Sequence, residues 1–280
     1  MRNFTFKGLL LTAVFMLLGC FSIQAANDDL ITKQITINLD KAGTLPNKIA
    51  SSEMYKITNL KIIGEINGTD WNMIREMAGR DNRGFGTEGK LSVLDLSEAK
   101  IVKGGDSYYP GDNCYTSNDE IGEKAFYDCS RLTSLTLPVG ITSIGYDAFA
   151  YCSGLTSLTL PAGITSIGEF AFSYCSGLTS IYVYAEKVPR IGRYAFEGCA
   201  SRKCTLYVPK GTYDNYRRSE FGYFVNIVEF DATGIDKTTT STDVEEVSRY
   251  SVNGQRLAVP VKGLNIVKYS DGTVRKVVVK

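Results

Sequence analysis

The sequence predicts an α+β solenoid of short strands stacked coil on coil, with an N-terminal cap and a small C-terminal antiparallel β module. Three observations predict it. A hexapeptide motif recurs at spacings of 23, 23 and 24 residues. Each copy precedes a segment whose apolar residues alternate, which is strand periodicity. Near the C-terminus, Asn-Gly and Asp-Gly dipeptides sit between apolar alternations, a strong hairpin signal.

The motif reads Ile121-Gly122-Glu123-Lys124-Ala125-Phe126 and returns at Ile144–Phe149, Ile167–Phe172 and Ile191–Phe196. A cysteine follows each phenylalanine by three residues: Cys129, Cys152, Cys175 and Cys199. The strand segments are Leu132-Thr133-Ser134-Leu135-Thr136-Leu137-Pro138, its copy Leu155–Pro161, and Leu178-Thr179-Ser180-Ile181-Tyr182-Val183. One such strand cannot bury its apolar face alone. Stacked units let Leu135, Leu158 and Ile181 form one ladder and Phe126, Phe149 and Phe172 another, which is the physics of a solenoid. The period falls in the 20–29-residue range of leucine-rich repeats.

These words, Ile-Gly-x-x-Ala-Phe-x-x-Cys followed by Leu-Thr-Ser-Leu-Thr-Leu-Pro and Gly-Ile-Thr-Ser, resemble the BspA-type leucine-rich repeat of bacterial surface proteins, especially those of Bacteroidetes. The resemblance implies a curved solenoid with short strands on its concave side. It also implies a role in adhesion to host or bacterial surfaces.

In the fourth repeat Lys203 stands where the strand's leading leucine would be, and Leu206-Tyr207-Val208-Pro209 follows one residue late. This marks a last coil. Thr212–Phe230, with Tyr213, Tyr216, Phe221, Tyr223, Phe224, Ile227 and Val228, reads as its cap, because the end of a solenoid core has to be covered. A binding patch is the alternative use of these aromatics. Upstream, Leu91-Ser92-Val93-Leu94-Asp95-Leu96 and Ile57–Ile62 read as degenerate coils. Asp70–Gly79 reads as a helix with Asp70 as N-cap, Trp71, Ile74 and Met77 on one face, and Gly79 as its stop. Gly104–Asn118 reads as a loop.

At the N-terminus, Arg2 and Lys7 flank a short basic region, Gly8–Ile23 is almost wholly apolar, and Ala25-Ala26 follows. That three-part pattern is a secretory signal peptide. Cleavage after Ala25 releases a soluble chain; lipidation of Cys20 in Leu17-Leu18-Gly19-Cys20 is the other reading. The expected organisation is a signal at 1–25, an N-terminal cap with a degenerate repeat at 26–90, repeats with their C-terminal cap at 91–230, a Thr-rich linker at 231–242, and the β module at 243–280.

Composition excludes several chemistries. The chain has no histidine. Ser-His-Asp and Cys-His catalysis and histidine-ligated metal sites are therefore absent. Beyond residue 25 there remain 29 Lys and Arg against 30 Asp and Glu. Nucleic acid is not the expected partner, because phosphate binding needs a basic footprint. No cofactor or metal is expected. The repeat cysteines stand in a row, whereas zinc wants four thiolates around a point. They read as small apolar residues in a tight turn, with a Cys199–Cys204 disulfide, or one using Cys114, left open.

The C-terminal strands are expected around the turns Asn253-Gly254 and Asp271-Gly272. Val252-Asn253-Gly254-Gln255, Lys262-Gly263-Leu264-Asn265-Ile266-Val267 and the terminal Lys276-Val277-Val278-Val279-Lys280 resemble the C-terminal sorting domain of Bacteroidetes type IX secretion substrates. The resemblance implies delivery to the cell surface; a small β-domain without an address is the alternative.

Strand alternation sends every second side chain out of the core. The outward ladder then runs Lys61, Asp95, Thr136, Thr159, Tyr182 and Tyr207, with Tyr184 one pleat along. Tyrosines on a rigid face offer broad contact area with a polar tip. The expected partner surface is therefore Thr136, Thr159, Tyr182, Tyr184 and Tyr207, presented to a protein or matrix partner outside the cytoplasm. These residues could equally be solvated strand positions. A glycan-binding module is the second reading. A hydrolase using two carboxylates, drawn from Asp119, Glu120 and Glu123, is a distant third, because that chemistry needs no histidine.

Overall fold

The structure, a computed structural model, describes residues 30–109, 114–232, 246–251, 256–257, 259–269 and 274–279. The expected signal peptide with Cys20, most of the Thr-rich linker and the two hairpin turns lie outside the described residues.

Eight strands form one parallel sheet: β1 (Ile35–Leu39), β2 (Asn59–Ile66), β3 (Val93–Ile101), β5 (Ser134–Thr136), β7 (Ser157–Leu160), β9 (Ser180–Val183), β11 (Thr205–Pro209) and β12 (Asn226–Phe230). Four two-residue strands form a second: β4 (Glu120–Ile121), β6 (Ser143–Ile144), β8 (Ser166–Ile167) and β10 (Arg190–Ile191). From β4 to β11 each coil gives one strand to each sheet, so this stretch winds as a solenoid; β1, β2, β3 and β12 extend the large sheet alone. The two segments expected as degenerate coils form β2, in the N-terminal cap, and β3, at the start of the repeat region, and both are continuous with the repeats, with Leu60 beside Leu94 and Leu94 beside Leu135.

The apolar ladders meet between the sheets. Leu158 pairs with Ile181 and Ile181 with Leu206; on the other wall Ile121, Ile144, Ile167 and Ile191 align. The phenylalanines stack with ring centroids 5.2 Å (Phe126–Phe149), 5.1 Å (Phe149–Phe172) and 5.5 Å (Phe172–Phe196) apart. Trp71 closes the column at one end, 5.2 Å from Phe126, and Phe221 and Phe224 close it at the other, 5.2 and 5.1 Å from Phe196. Each ring removes a large apolar area from water, and offset or tilted contacts add to that gain. In the fourth coil Lys203 is exposed, and the wholly buried Cys204 fills the interior in its place.

The third side of each coil, the turn running from Ile-Gly to Cys, has no strand yet is hydrogen-bonded coil to coil. The amides of Lys124, Phe126 and Asp128 donate to the carbonyls of Tyr146, Ala148 and Ala150 at 2.9, 2.7 and 2.8 Å. Asp147, Phe149 and Tyr151 donate likewise to Glu169, Ala171 and Ser173, and Phe170, Phe172 and Tyr174 to Arg193, Ala195 and Glu197. Two residues per turn take left-handed backbone, such as Phe170 at φ 55° and Tyr174 at φ 56°. Bulky residues are rare there. Repeated bonding to the next coil holds them. Backbones approach so closely that a Cβ on Gly145 would sit 2.6 Å from the Glu123 nitrogen, and one on Gly168 2.6 Å from the Gly145 carbonyl carbon. That contact explains the glycine of the Ile-Gly motif.

The repeat cysteines answer a second need. The thiols of Cys152, Cys175 and Cys199 donate to the carbonyls of Phe126, Phe149 and Phe172 in the preceding coil, at 3.0, 3.1 and 3.1 Å. All six described cysteines are buried, and no disulfide joins any two of them.

The first coil has no predecessor to serve its turn carbonyls, and side chains of the N-terminal cap and of the loop after β3 do so instead. Tyr108 donates its hydroxyl to Glu123 O (3.0 Å), Trp71 its indole N–H to Ala125 O (2.9 Å), and Arg75 its Nη1 to Lys124 O and Ala125 O (2.9 and 3.1 Å). Trp71 and Arg75 lie on α1 (Gly68–Met77). Its N-cap is Asn67 and not the expected Asp70. Asp70 is the third helical residue. Its buried carboxylate accepts from the amides of Asn67 (2.9 Å), Gly43 (2.6 Å) and Leu45 (2.8 Å), so it ties a preceding loop to the helix start. Gly79, at φ 100°, stops the helix as expected.

At the far end β12 extends the large sheet beside β11, and α2 (Tyr213–Arg217) leads into the segment bearing Phe221 and Phe224. Tyr216, Phe221 and Phe224 are buried, whereas Tyr213, Tyr223 and Val228 of the same expected cap are exposed. The C-terminal module is an antiparallel sheet in the order β14 (Arg256–Leu257), β13 (Glu246–Ser251), β15 (Gly263–Tyr269) and β16 (Val274–Val279).

Replacing Phe172 with Ala breaks the ring column and should cost about 3–5 kcal/mol. Trp71→Phe keeps the ring but deletes one donor to Ala125 O, which Arg75 still serves, and should cost about 1 kcal/mol. Urea unfolding followed by far-UV circular dichroism measures both.

Burial pushes the Cys129 thiol up to about 11 and the Cys199 and Cys204 thiols up to about 12. An unfolded thiol ionises near 9, so between that value and the native ones only the unfolded chain gains by losing protons. Stability should therefore fall as pH rises from 9 to 11, read as a falling urea midpoint. At pH 8 the native protein should leave its thiols unlabelled while the unfolded chain reacts.

Candidate interaction surface

The large sheet turns one face to the core and one outward. Strand register places Thr36 beside Lys61, Lys61 beside Asp95 and Asp95 beside Thr136. Ser134 opposite Ser157 sets Thr136 beside Thr159, which pairs with Tyr182, and Tyr182 with Tyr207. All six expected members thus form one row.

Chemistry changes along that row. At its start Lys61 Nζ lies 2.5 Å from Glu98 and 3.6 Å from the nearly buried Asp95. These contacts raise the lysine's pKa, Glu98 contributing most, and keep it charged. Thr136 is half-buried and Thr159 exposed in the middle. At the C-terminal end the Tyr182 and Tyr207 rings stack at 4.4 Å and 6°. The Phe230 ring stands edge-on to both Tyr182 (6.2 Å) and Tyr184 (5.1 Å). Tyr182, Tyr184 and Tyr207 are therefore brought together as one cluster, with Phe230 as a fourth member.

The cluster is half-buried. Lys276 of β16 holds its ammonium 4.4 Å above the Tyr184 ring and donates to Ala232 O at 3.2 Å. Burial raises the phenol pKa of Tyr182 and Tyr184 and lowers that of the Lys276 ammonium. The C-terminal module thus touches the aromatic end of the expected surface. Nothing in residue spacing links position 276 to position 184, so sequence reasoning missed both Lys276 and Phe230. Phe230 could have been found, because it lies on the strand that follows Tyr207 in the sheet.

A shallow cleft of ≈ 530 Å³ opens elsewhere, lined by Pro189, Ile191, Arg218, Ser219, Glu220 and Tyr223. Glu220 is the one acid among those residues. The acids named for a hydrolase lie apart from this cleft: Glu120 belongs to β4 and Glu123 follows it, 3.6 Å from Lys124. Among the described residues no group of three or more Cys, Asp or Glu side chains is placed to hold a metal, and no helix is long and apolar enough to cross a membrane.

Residues 113–217 match the BspA type leucine rich repeat region in six copies. This stretch therefore carries BspA-type repeats, a kind of repeat that is generally non-enzymatic and suggests a protein-interaction module. A comparison with curated proteins returns no match.

Proposed function

We propose that this chain is an exported interaction protein that binds a protein or extracellular-matrix partner through the outward face of its leucine-rich-repeat sheet. The observation that carries the reading is the register of that face. A rigid parallel sheet holds Thr136, Thr159, Tyr182 and Tyr207 in one row, with Tyr184 and Phe230 beside its aromatic end. Rigid tyrosines lose little conformational freedom on binding and supply broad contact area. Export rests on the basic, apolar and small-residue pattern of residues 1–25. A glycan partner is the weaker reading, because sugars stack on free ring faces and the Tyr182 and Tyr207 faces lie against each other. Catalysis is not part of the reading, since no histidine is present and the named acids are not gathered in a cleft.

The mature protein should be captured by immobilised host extracellular-matrix proteins. Joint replacement of Tyr182, Tyr184 and Tyr207 with Ala should weaken that capture by about tenfold or more, the loss of a small cluster of aromatic anchors. Unchanged capture would remove the surface from consideration, and a glycan array on the same protein tests the sugar reading.

The C-terminal module is read as a sorting address for the cell surface. Residues 243–280 grafted onto a periplasmic reporter should carry it to the surface of a type IX-competent cell. A reporter retained in the periplasm would overturn the assignment.

A further inference from the structure

The two ends of the solenoid are finished differently. At the N-terminal end, Tyr108, Trp71 and Arg75 serve the turn carbonyls that a preceding coil would serve. At the C-terminal end β12 and the Phe221–Phe224 segment cover the large sheet and the ring column. The cap meets the turn at Cys199, whose carbonyl accepts from the Tyr223 hydroxyl at 2.8 Å, but β10 and the turn before Cys199 receive no main-chain partner from it among the described residues. The counterparts of Tyr194, Phe196 and Gly198 in each earlier coil donate their amides to the coil that follows. These three have no acceptor among the described residues. In the same way the carbonyls of Ile121, Ile144 and Ile167 each accept from the next coil's glycine amide at 2.8 Å, and the carbonyl of Ile191 has no such donor. β10 is the terminal strand of its sheet.

The cleft described above lies along this edge. Pro189 and Ile191 form its solenoid wall, and Arg218, Ser219, Glu220 and Tyr223 of the cap form the opposite one. Tyr194 is 58% exposed and Gly198 is exposed, so the turn edge is open to solvent. One free acceptor followed by three free donors, every second residue along the turn, is the complement of a peptide backbone. An anion would use the donors and leave the Ile191 carbonyl unserved. Open edges of this kind recruit extended segments by main-chain pairing.

We propose that the last coil is a peptide-docking edge, which takes an extended segment of a partner protein as a fifth strand beside β10 and as the next rung of the turn. Its amide serves Ile191 O, and its carbonyls accept from Tyr194, Phe196 and Gly198. The neighbouring side chain of the segment enters the cleft between Pro189 and Ile191 on one wall and Tyr223 on the other. The upstream junctions define the fit, because the same edge is occupied three times within the chain by main chain of this form. The second sheet and the turn carry the site, so it is independent of the Tyr182, Tyr184 and Tyr207 surface.

The test uses the whole mature protein and a fluorescein-labelled synthetic peptide of residues 165–174 with Phe172→Ala, which carries strand β8 and the three accepting turn carbonyls and leaves Phe221 and Phe224 their place on Phe196. Single-residue amide hydrogen exchange by NMR is the main readout. In the free protein the amides of Tyr194, Phe196 and Gly198 should exchange faster than those of Phe170, Phe172 and Tyr174. Saturating peptide should slow the three by about tenfold or more, while a scrambled peptide leaves them fast. Ile191→Glu should weaken peptide binding about tenfold in fluorescence anisotropy, and the Tyr182, Tyr184 and Tyr207 triple variant should bind it normally. If the three amides are already slow in the free protein, or stay fast with saturating peptide, the proposal is wrong. Slowing that follows protein concentration alone, with dimers seen by light scattering, would overturn the partner segment in favour of a second copy of this chain.

Discussion

The hydrogen bonds of the turn hold the rest of the molecule in place. Two-residue and four-residue strands are too short to align a solenoid by themselves. Three amides per turn, bonded to three carbonyls of the next coil, fix the rise and register with which every other ladder must agree. The phenylalanine column, the thiols under the Phe carbonyls and the close backbone contact at Gly145 and Gly168 all follow from that spacing. The same junction makes the ends costly, since a buried backbone group without a partner loses most of what folding gains there. Trp71 meets that demand twice, as a donor to Ala125 O and as the first ring of the column.

The outward face of the large sheet changes from an ion-paired start at Lys61 and Asp95 to an aromatic end at Tyr182 and Tyr207. The C-terminal module meets that aromatic end through Lys276. Any partner at Tyr184 therefore shares its surface with this module. The cation keeps one ring face from water, although burial already disfavours its charge.

Much of this was legible in the sequence because repetition averages out local ambiguity. Phe126, Phe149, Phe172 and Phe196 recur in one phase, so one physical reading applies to all of them, and the row from Lys61 to Tyr207 followed from strand alternation. Singular features were harder. Asn67 and Asp70 are both acceptable N-caps, and what separates them is the pull of the Gly43 and Leu45 amides on Asp70 from a distant loop. The carbonyl-serving role of Tyr108 and Arg75 has no periodicity to announce it. The contact of Lys276 with Tyr184 joins segments with no shared pattern. The open edge at Tyr194 and Gly198 exists only because the cap covers one sheet and not the other, which a single repeat does not reveal.

Because every junction between the ends is made alike, the number of coils is not tied to the fold. A tandem duplication of one 23-residue unit would insert a rung of about 4.8 Å and leave Trp71 at one end and Phe221 at the other with the same neighbours. Loss of a unit would do the reverse. Leu132–Pro138 and Leu155–Pro161 are identical in sequence, so one copy of that segment can stand in for the other. The fold thus admits changes of length in whole steps, and each step would alter the reach of the outward face without disturbing its two terminations.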